Sequence, residues 1–137
     1  MKKITILLVS SFSLLMAEST IVRDNSKNIL WEDTQHCEDK KLNHAQAIEY
    51  CQNLVLGEYK KWRLPSLSEL LSIVDYKKYR PAILKEFQYV TTDTLYWTET
   101  PYVRSSDEVW GVNFKDGATS NASMNYDRYV RCVRDSQ

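Results

Sequence analysis

The sequence predicts a single α+β domain, with an N-terminal hairpin, two helices and then a small antiparallel sheet. Three observations predict it. Two β-prone runs, residues 20–23 and 29–31, flank the turn-forming Asp24-Asn25-Ser26-Lys27-Asn28. Two amphipathic segments with N-cap residues follow, opened by Asn43 and by Ser66. From Leu95 the texture changes to strand-like runs broken by turn residues. Helices grouped before strands mark an α+β order rather than repeated βαβ units.

In chain order, residues 1–17 read as a secretory leader. Lys2 and Lys3 give the positive start, residues 4–16 are apolar apart from Thr5 and three serines, and Ala17 is the expected last residue before cleavage. The apolar run is shorter than the about 20 residues of a membrane span. Glu18 follows in place of the cysteine of a lipoprotein. Loss of Lys2 and Lys3 with the leader leaves 16 basic against 18 acidic residues in 18–137. Nothing global then attracts nucleic acid or an anionic membrane, and any basic site must be local.

Residues 32–41 read as polar and irregular. Asn43 caps a helix whose Ala47, Ile48, Cys51 and Leu54 share a face, flanked by Ala45 and Val55, and Gly57 supplies a left-handed C-terminal residue. The densest local signal is Trp62-Arg63-Leu64-Pro65-Ser66. Pro65 holds Leu64 extended, Ser66 and Glu69 have capping-box spacing, and Leu67, Leu70, Leu71 and Val74 recur at helical period. Residues 76–80 form a basic, tyrosine-rich connection, and residues 81–87 are expected to add a helical turn. Residues 95–99 and 109–114 are strands, the second ended by the turn dipeptide Asp116-Gly117. Residues 129–134 alternate as a last strand, with Val130, Cys132 and Arg134 on one face and Tyr129, Arg131 and Val133 on the other. Trp62, Trp97 and Trp110 are expected in the core.

An exported chain meets oxidising conditions, and three cysteines, Cys37, Cys51 and Cys132, allow three single bridges. The reading favoured is Cys51–Cys132, which joins the inner face of the first helix to the last strand. Cys37 is then a partly buried thiol or the handle of an intermolecular bridge, giving a Cys37-linked dimer.

Several segments together resemble the DUF1566 family, the domain also found at the C-terminus of the Legionella collagen-like adhesin. These are Tyr50-Cys51-Gln52-Asn53-Leu54, Trp62-Arg63-Leu64-Pro65-Ser66 with Glu69-Leu70, Val74-Asp75-Tyr76, Tyr96-Trp97-Thr98, Val109-Trp110-Gly111-Val112-Asn113-Phe114 with Gly117, and Val130-Arg131-Cys132-Val133-Arg134. The resemblance covers residues 21–134. It implies a C-type-lectin-like fold whose first helix is disulfide-bonded to its last strand, in an exported or surface protein with adhesin-like recognition of sulfated glycans or host matrix. The chain lacks a collagen-like repeat, the sugar-and-calcium motifs of true C-type lectins, and the C-terminal cysteine pair of the related formylglycine-generating enzymes.

No catalytic pattern stands out. The only histidines are His36 and His44, and neither a nucleophile elbow nor a zincin pair is present. A Cys37, His36 and His44 centre is disfavoured, and His44 in a helix's first turn reads as solvated. Asn113, Asp116, Asn121, Asn125 and Asp127 have the oxygens calcium wants but no fixed ligand spacing, so they read as turn residues. No cofactor or metal is expected. Three basic runs remain: Lys60, Lys61 and Arg63; Lys77, Lys78 and Arg80; and Arg128, Arg131 and Arg134. Brought together by the fold, two of them would bind sulfate or carboxylate groups, with Tyr76, Tyr79 and Tyr129 available to stack on sugar rings. The candidate ligand residues are Lys61, Lys77, Lys78, Tyr79, Arg80 and Arg128, while Arg63 and Arg131 also read as structural ions paired with acids. The sequence therefore points to an exported, non-enzymatic module for an anionic glycan or an envelope or host-matrix protein, with its binding face in the loops between Tyr96 and Arg128. The alternatives are a structural subunit of an envelope assembly and a non-catalytic relative of sulfatase-modifying enzymes.

Overall fold

The computed structural model describes residues 20–137, so the expected leader lies outside the described residues. The described residues form two sheets. β1 (Ile21–Asp24), β2 (Ile29–Glu32) and β8 (Val133–Asp135) make a three-stranded antiparallel sheet in the order β1-β2-β8. β3 (Lys41–Leu42), β4 (Tyr96–Pro101), β5 (Glu108–Asn113), β6 (Ala118–Ser123) and β7 (Arg128–Tyr129) make the second, in the order β3-β7-β4-β5-β6. Its pairings are antiparallel except β4 with β7, which run parallel at Tyr96 and Tyr129. The fold is α+β, as expected, but the sheet is split and partly mixed.

The two expected helices are present. α2 (His44–Asn53) and α3 (Leu67–Leu71) both open on complete capping boxes, Asn43 with Gln46 and Ser66 with Glu69. Each box satisfies two amides that a helix start otherwise leaves without partners. α3 packs on β4 and β5. The α2 stripe is narrower than predicted: His44, Ala47 and Cys51 are buried, whereas Ala45 and Ile48 are exposed. Residues 32–41 are more ordered than their polarity suggested, holding α1 (His36–Asp39) and β3. Residues 81–87 make a turn, with Phe87 N–H donating to Leu84 O, instead of a helical turn.

The predicted last strand is two strands. β7 ends at Tyr129, the chain passes between the sheets, and β8 starts at Val133. Strict two-face alternation fails there because Val130, Arg131, Cys132 and Val133 are all buried. In that crossing Cys132 meets Cys51, with an S–S distance of 2.10 Å and a sequence separation of 81. The bridge ties α2 to the entry of the closing strand. One core cluster contains Trp31, Leu70, Ile73, Tyr96, Phe114 and Val133, the other Leu30, Trp62, Leu64, Trp97 and Cys132. Trp110, expected in the core, is only half-buried, and its ring meets Tyr102 edge-on at 5.2 Å.

Candidate functional site: a basic patch beside Tyr59

Gly57 at φ +58 allows the tight 56–59 turn, in which Leu56 and Tyr59 exchange backbone hydrogen bonds. The Trp62 indole N–H donates to Tyr59 O at 3.0 Å and fixes the turn to the core. Tyr59 is thereby placed on the end of the three-stranded sheet. Arg23 on β1 and Arg134 on β8 both pair in register with Leu30 on β2, so they share one sheet face. Both guanidinium groups lie over Tyr59, at 5.4 Å and 5.2 Å from the ring centroid. Asp24 and Asp135 occupy the next row of the sheet, although Asp135 still reaches the rim of the neighbouring cleft through Arg63.

These two arginines are held by neutral groups. Arg23 Nη2 donates to Tyr59 Oη at 2.8 Å. Arg134 Nη1 donates to Lys60 O at 2.5 Å, and its Nε to Asp135 O at 2.7 Å. Among the described residues no carboxylate pairs with either. Carbonyl and phenol acceptors fix the side chains without cancelling their charge, which leaves the remaining N–H groups for an anion. Lys61 adds a third cation, and Lys61, Arg63, Arg134, Asp135 and Gln137 line a cleft of about 180 Å³. Lys61 sits at φ +63, an uncommon conformation for a residue with a Cβ.

Arg63 plays a different part. Its guanidinium takes both Glu69 oxygens, at 2.7 and 2.9 Å, and reaches Asp135 at 3.2 Å. Those partners raise the Arg63 pKa, the Glu69 hydrogen bonds foremost. The same bonds hold Glu69 below the ordinary carboxylate value of 4.5. This bridge joins the capping box of α3 to β8, so Arg63 is a structural ion paired with acids.

Arg131 is also structural. It is fully buried, pairs with Asp33 at 3.1 Å and donates to Glu32 O and Tyr89 O. Asp33 in turn accepts from the Gln88 and Tyr89 amides at 3.0 and 3.1 Å. Glu32, equally buried, accepts from Tyr50 Oη, Thr34 Oγ1 and the Cys132 amide. Nothing local in residues 32–41 announced this buried polar centre, since its partners come from distant parts of the chain.

The remaining candidates fall elsewhere. Lys77, Lys78, Tyr79 and Arg80 are exposed on one loop, anchored where Arg80 N–H donates to Lys115 O at 2.9 Å. Gly117 holds the neighbouring turn against that loop: at φ +83, an added Cβ would lie 2.5 Å from Val74 Cγ1 and 2.8 Å from Tyr76 Cε1. Lys78 is partly neutralised by Asp75 at 3.9 Å. Arg128 stands on β7, its guanidinium over Tyr126. Tyr76 and Tyr79 are open to solvent, but Tyr129 is buried against Tyr96 and offers no stacking face. The fold thus brings the first and third basic runs together, through Lys60, Lys61 and Arg134, and leaves the second on its own loop. Arg23 was not singled out from sequence, although its strand position opposite the closing strand was the available signal. A larger cleft of about 400 Å³ lies between the β1–β2 turn and α3, but its rim mixes Arg23 and Lys27 with Asp24 and Glu86 and has no preferred sign.

Cys37 and His44 are both buried. Burial pushes the Cys37 thiol up to about 12, so it is neutral and inert at physiological pH. Full burial also corrects the idea of a Cys37-linked dimer, because the sulfur cannot reach a second chain without local opening. His44, read as solvated, is buried instead, its Nε2 2.9 Å from Thr98 O and its ring edge-on to Trp97. Among the described residues no group of three or more His, Cys, Asp or Glu is placed to hold a metal. Asn113 and Asp116 spend carboxamide and carboxylate oxygens on the Lys115 and Ala118 amides, as turn residues do.

The class this defines is a disulfide-stapled α+β domain with an open cationic cleft at a sheet edge. The family model of the Lcl C-terminal domain matches residues 20–134, and the chain belongs to that family. It is an adhesin-associated module, in agreement with the resemblance to the Legionella adhesin domain. No curated protein matches the chain. Among the described residues no helix is long and apolar enough to cross a membrane.

Proposed function

We propose that this is an exported, non-enzymatic binding module on a C-type-lectin-like scaffold, which recognises an anionic glycan through the basic surface formed by Arg23, Tyr59, Lys61 and Arg134. The single observation that carries the reading is the pair of arginines over Tyr59. Both are held in place without a carboxylate partner, beside Lys61. Cations already immobilised lose less side-chain entropy on binding than free surface lysines. The family membership and the leader-like residues 1–17 support export to the periplasm or cell surface. The tie between α2 and β8 supports the C-type-lectin-like assignment, which the resemblance implied.

The test is retention of residues 18–137 on immobilised heparin at low ionic strength. Retention that falls with added salt is expected, because exposed charges are screened within about 8 Å at physiological salt. Arg134→Ala combined with Lys61→Ala should elute at clearly lower salt than the parent. Flow-through of the parent protein at low salt would overturn the reading. Unchanged elution of the double variant would move the site to the loop of Lys77, Lys78 and Arg80.

A further inference from the structure

We propose that the larger cleft, of about 400 Å³, binds a small zwitterion of the amino-acid class whose apolar side chain ends in a hydrogen-bond acceptor. Val22 and Trp31 stand opposite one another in the β1–β2 register, so they share one sheet face, while Arg23 and Leu30 form the next row. With Ile73, Leu84 and Phe87 they give the cleft apolar walls. Phe87 meets the Trp31 ring edge-on, at 6.3 Å between centroids. Small-molecule sites are of this size and combine apolar walls with a few placed polar groups.

The inner polar group is the Trp31 indole. Trp62 and Trp97, two other buried indoles, donate to Tyr59 O at 3.0 Å and to Leu42 O at 2.8 Å. Trp31 is 0% exposed, and its Nε1–H has no acceptor among the described residues. Buried donors are nearly always paired, so an orphaned one on a cavity wall marks where a ligand's acceptor belongs. The burial of Trp31 puts that acceptor at the inner end of the ligand, beyond its apolar part.

The rim supplies the charges. Arg23, Asp24, Lys27 and Glu86 all line it, two of each sign. Arg23 is already held by Tyr59 Oη at 2.8 Å. Asp24 Oδ1 accepts from the Ser26 and Lys27 amides at 3.0 and 3.2 Å, which pins the turn. Lys27 and Glu86 are exposed, and neither forms a salt bridge among the described residues. One cation and one anion left unpaired complement a ligand carrying one charge of each sign. An α-amino acid meets every requirement. Its carboxylate faces Lys27, its ammonium faces Glu86, its ring fills the apolar walls, and a terminal hydroxyl accepts from Trp31 Nε1–H. The basic patch uses Arg23, Tyr59, Lys61 and Arg134 instead, so this site stands independently of the glycan reading.

The test is an NMR titration of isotope-labelled residues 18–137 with L-tyrosine, L-phenylalanine and tyramine, read at the indole N–H signals. Tyrosine should give a saturable downfield shift of the Trp31 indole proton. Phenylalanine, which lacks the acceptor, should bind roughly fivefold more weakly or worse, the factor expected for one neutral hydrogen bond. Trp31→Phe keeps a ring but loses the donor, and should hold tyrosine no better than phenylalanine. Lys27→Ala, at an exposed position, should remove the preference for tyrosine over tyramine, which has no carboxylate. A nuclear Overhauser contact between the tyrosine ring and the Trp31 indole proton in the parent establishes the pose even where Trp31→Phe fails to fold. No saturable shift of that indole at millimolar tyrosine, equal affinity for phenylalanine, or a preference over tyramine that survives Lys27→Ala would overturn the proposal.

Discussion

Arg131 shows how one residue carries the interior. Its guanidinium and the Asp33 carboxylate are both taken out of water, at 0% and 2% side-chain exposure. Such a pair stands only if backbone groups take up most of the remaining donors and acceptors, as the Glu32 and Tyr89 carbonyls do for the Arg131 Nη atoms and the Gln88 and Tyr89 amides do for Asp33, leaving Arg131 Nε without a hydrogen-bond partner. Arg131→Ala should destabilise the domain by about 3–5 kcal/mol, the usual cost of stranding a buried charge, as read from urea unfolding. Lys61 makes the opposite case. Its left-handed backbone should favour glycine, so Lys61→Gly is expected to raise stability by about 1 kcal/mol while weakening heparin retention. A gain in stability with no loss of retention would detach Lys61 from the site. Glu69 sets the acid limit. Its pKa is depressed in the folded state, so its contribution is complete above the ordinary value of 4.5 and is lost as pH falls below that. Glu69→Gln should therefore be less stable at neutral pH and should lose part of the acid-side slope in a plot of unfolding free energy against pH.

At the scale of elements, what was legible was what is locally encoded. The capping boxes at Asn43 and Ser66 need only residues three apart, and both formed as read. The hairpin turn of residues 24–28 and the Asp116-Gly117 turn were equally local. The break between β7 and β8 was not legible, because alternation of Tyr129 to Arg134 suits a strand covered on both faces as well as one covered on a single face. Ile48 was placed inward by helical period, but only His44, Ala47 and Cys51 of α2 are buried, with Tyr50 and Leu54 packed partly against the core. Trp110 alternates correctly along β5 yet meets only Tyr102 on its side of the sheet. The Cys51–Cys132 bridge followed from the position of each cysteine on a predicted element. With a separation of 81 residues it should contribute about 4.5 kcal/mol in the chain-entropy account. Replacing both with serine should lower the unfolding free energy by an amount of that order in denaturant titrations. A loss below about 1 kcal/mol would show that the tie is not what holds α2 to the closing strand.

At the scale of the molecule, the basic patch exists because the first and last strands of the domain flank β2. That pairing brings Arg23 and Arg134, at opposite ends of the sequence, over the Tyr59 ring. The sequence supplied the basic runs but not their juxtaposition. Lys60 and Lys61 meet Arg134 only once β8 has docked on residue 63. The loop of Lys77, Lys78, Tyr79 and Arg80 looked equally basic in one dimension, yet it lies against the β5–β6 turn and Lys115.

The most direct measurement is a titration of the isotope-labelled domain with a sulfated heparin tetrasaccharide, followed through backbone amide and indole NMR signals. The account predicts saturable shifts centred on Arg23, Tyr59, Lys60, Lys61 and Arg134 and on the Trp62 indole that anchors the turn, fading as salt is added. Shifts centred on residues 77–80 and 115, or none at all at low ionic strength, would contradict it.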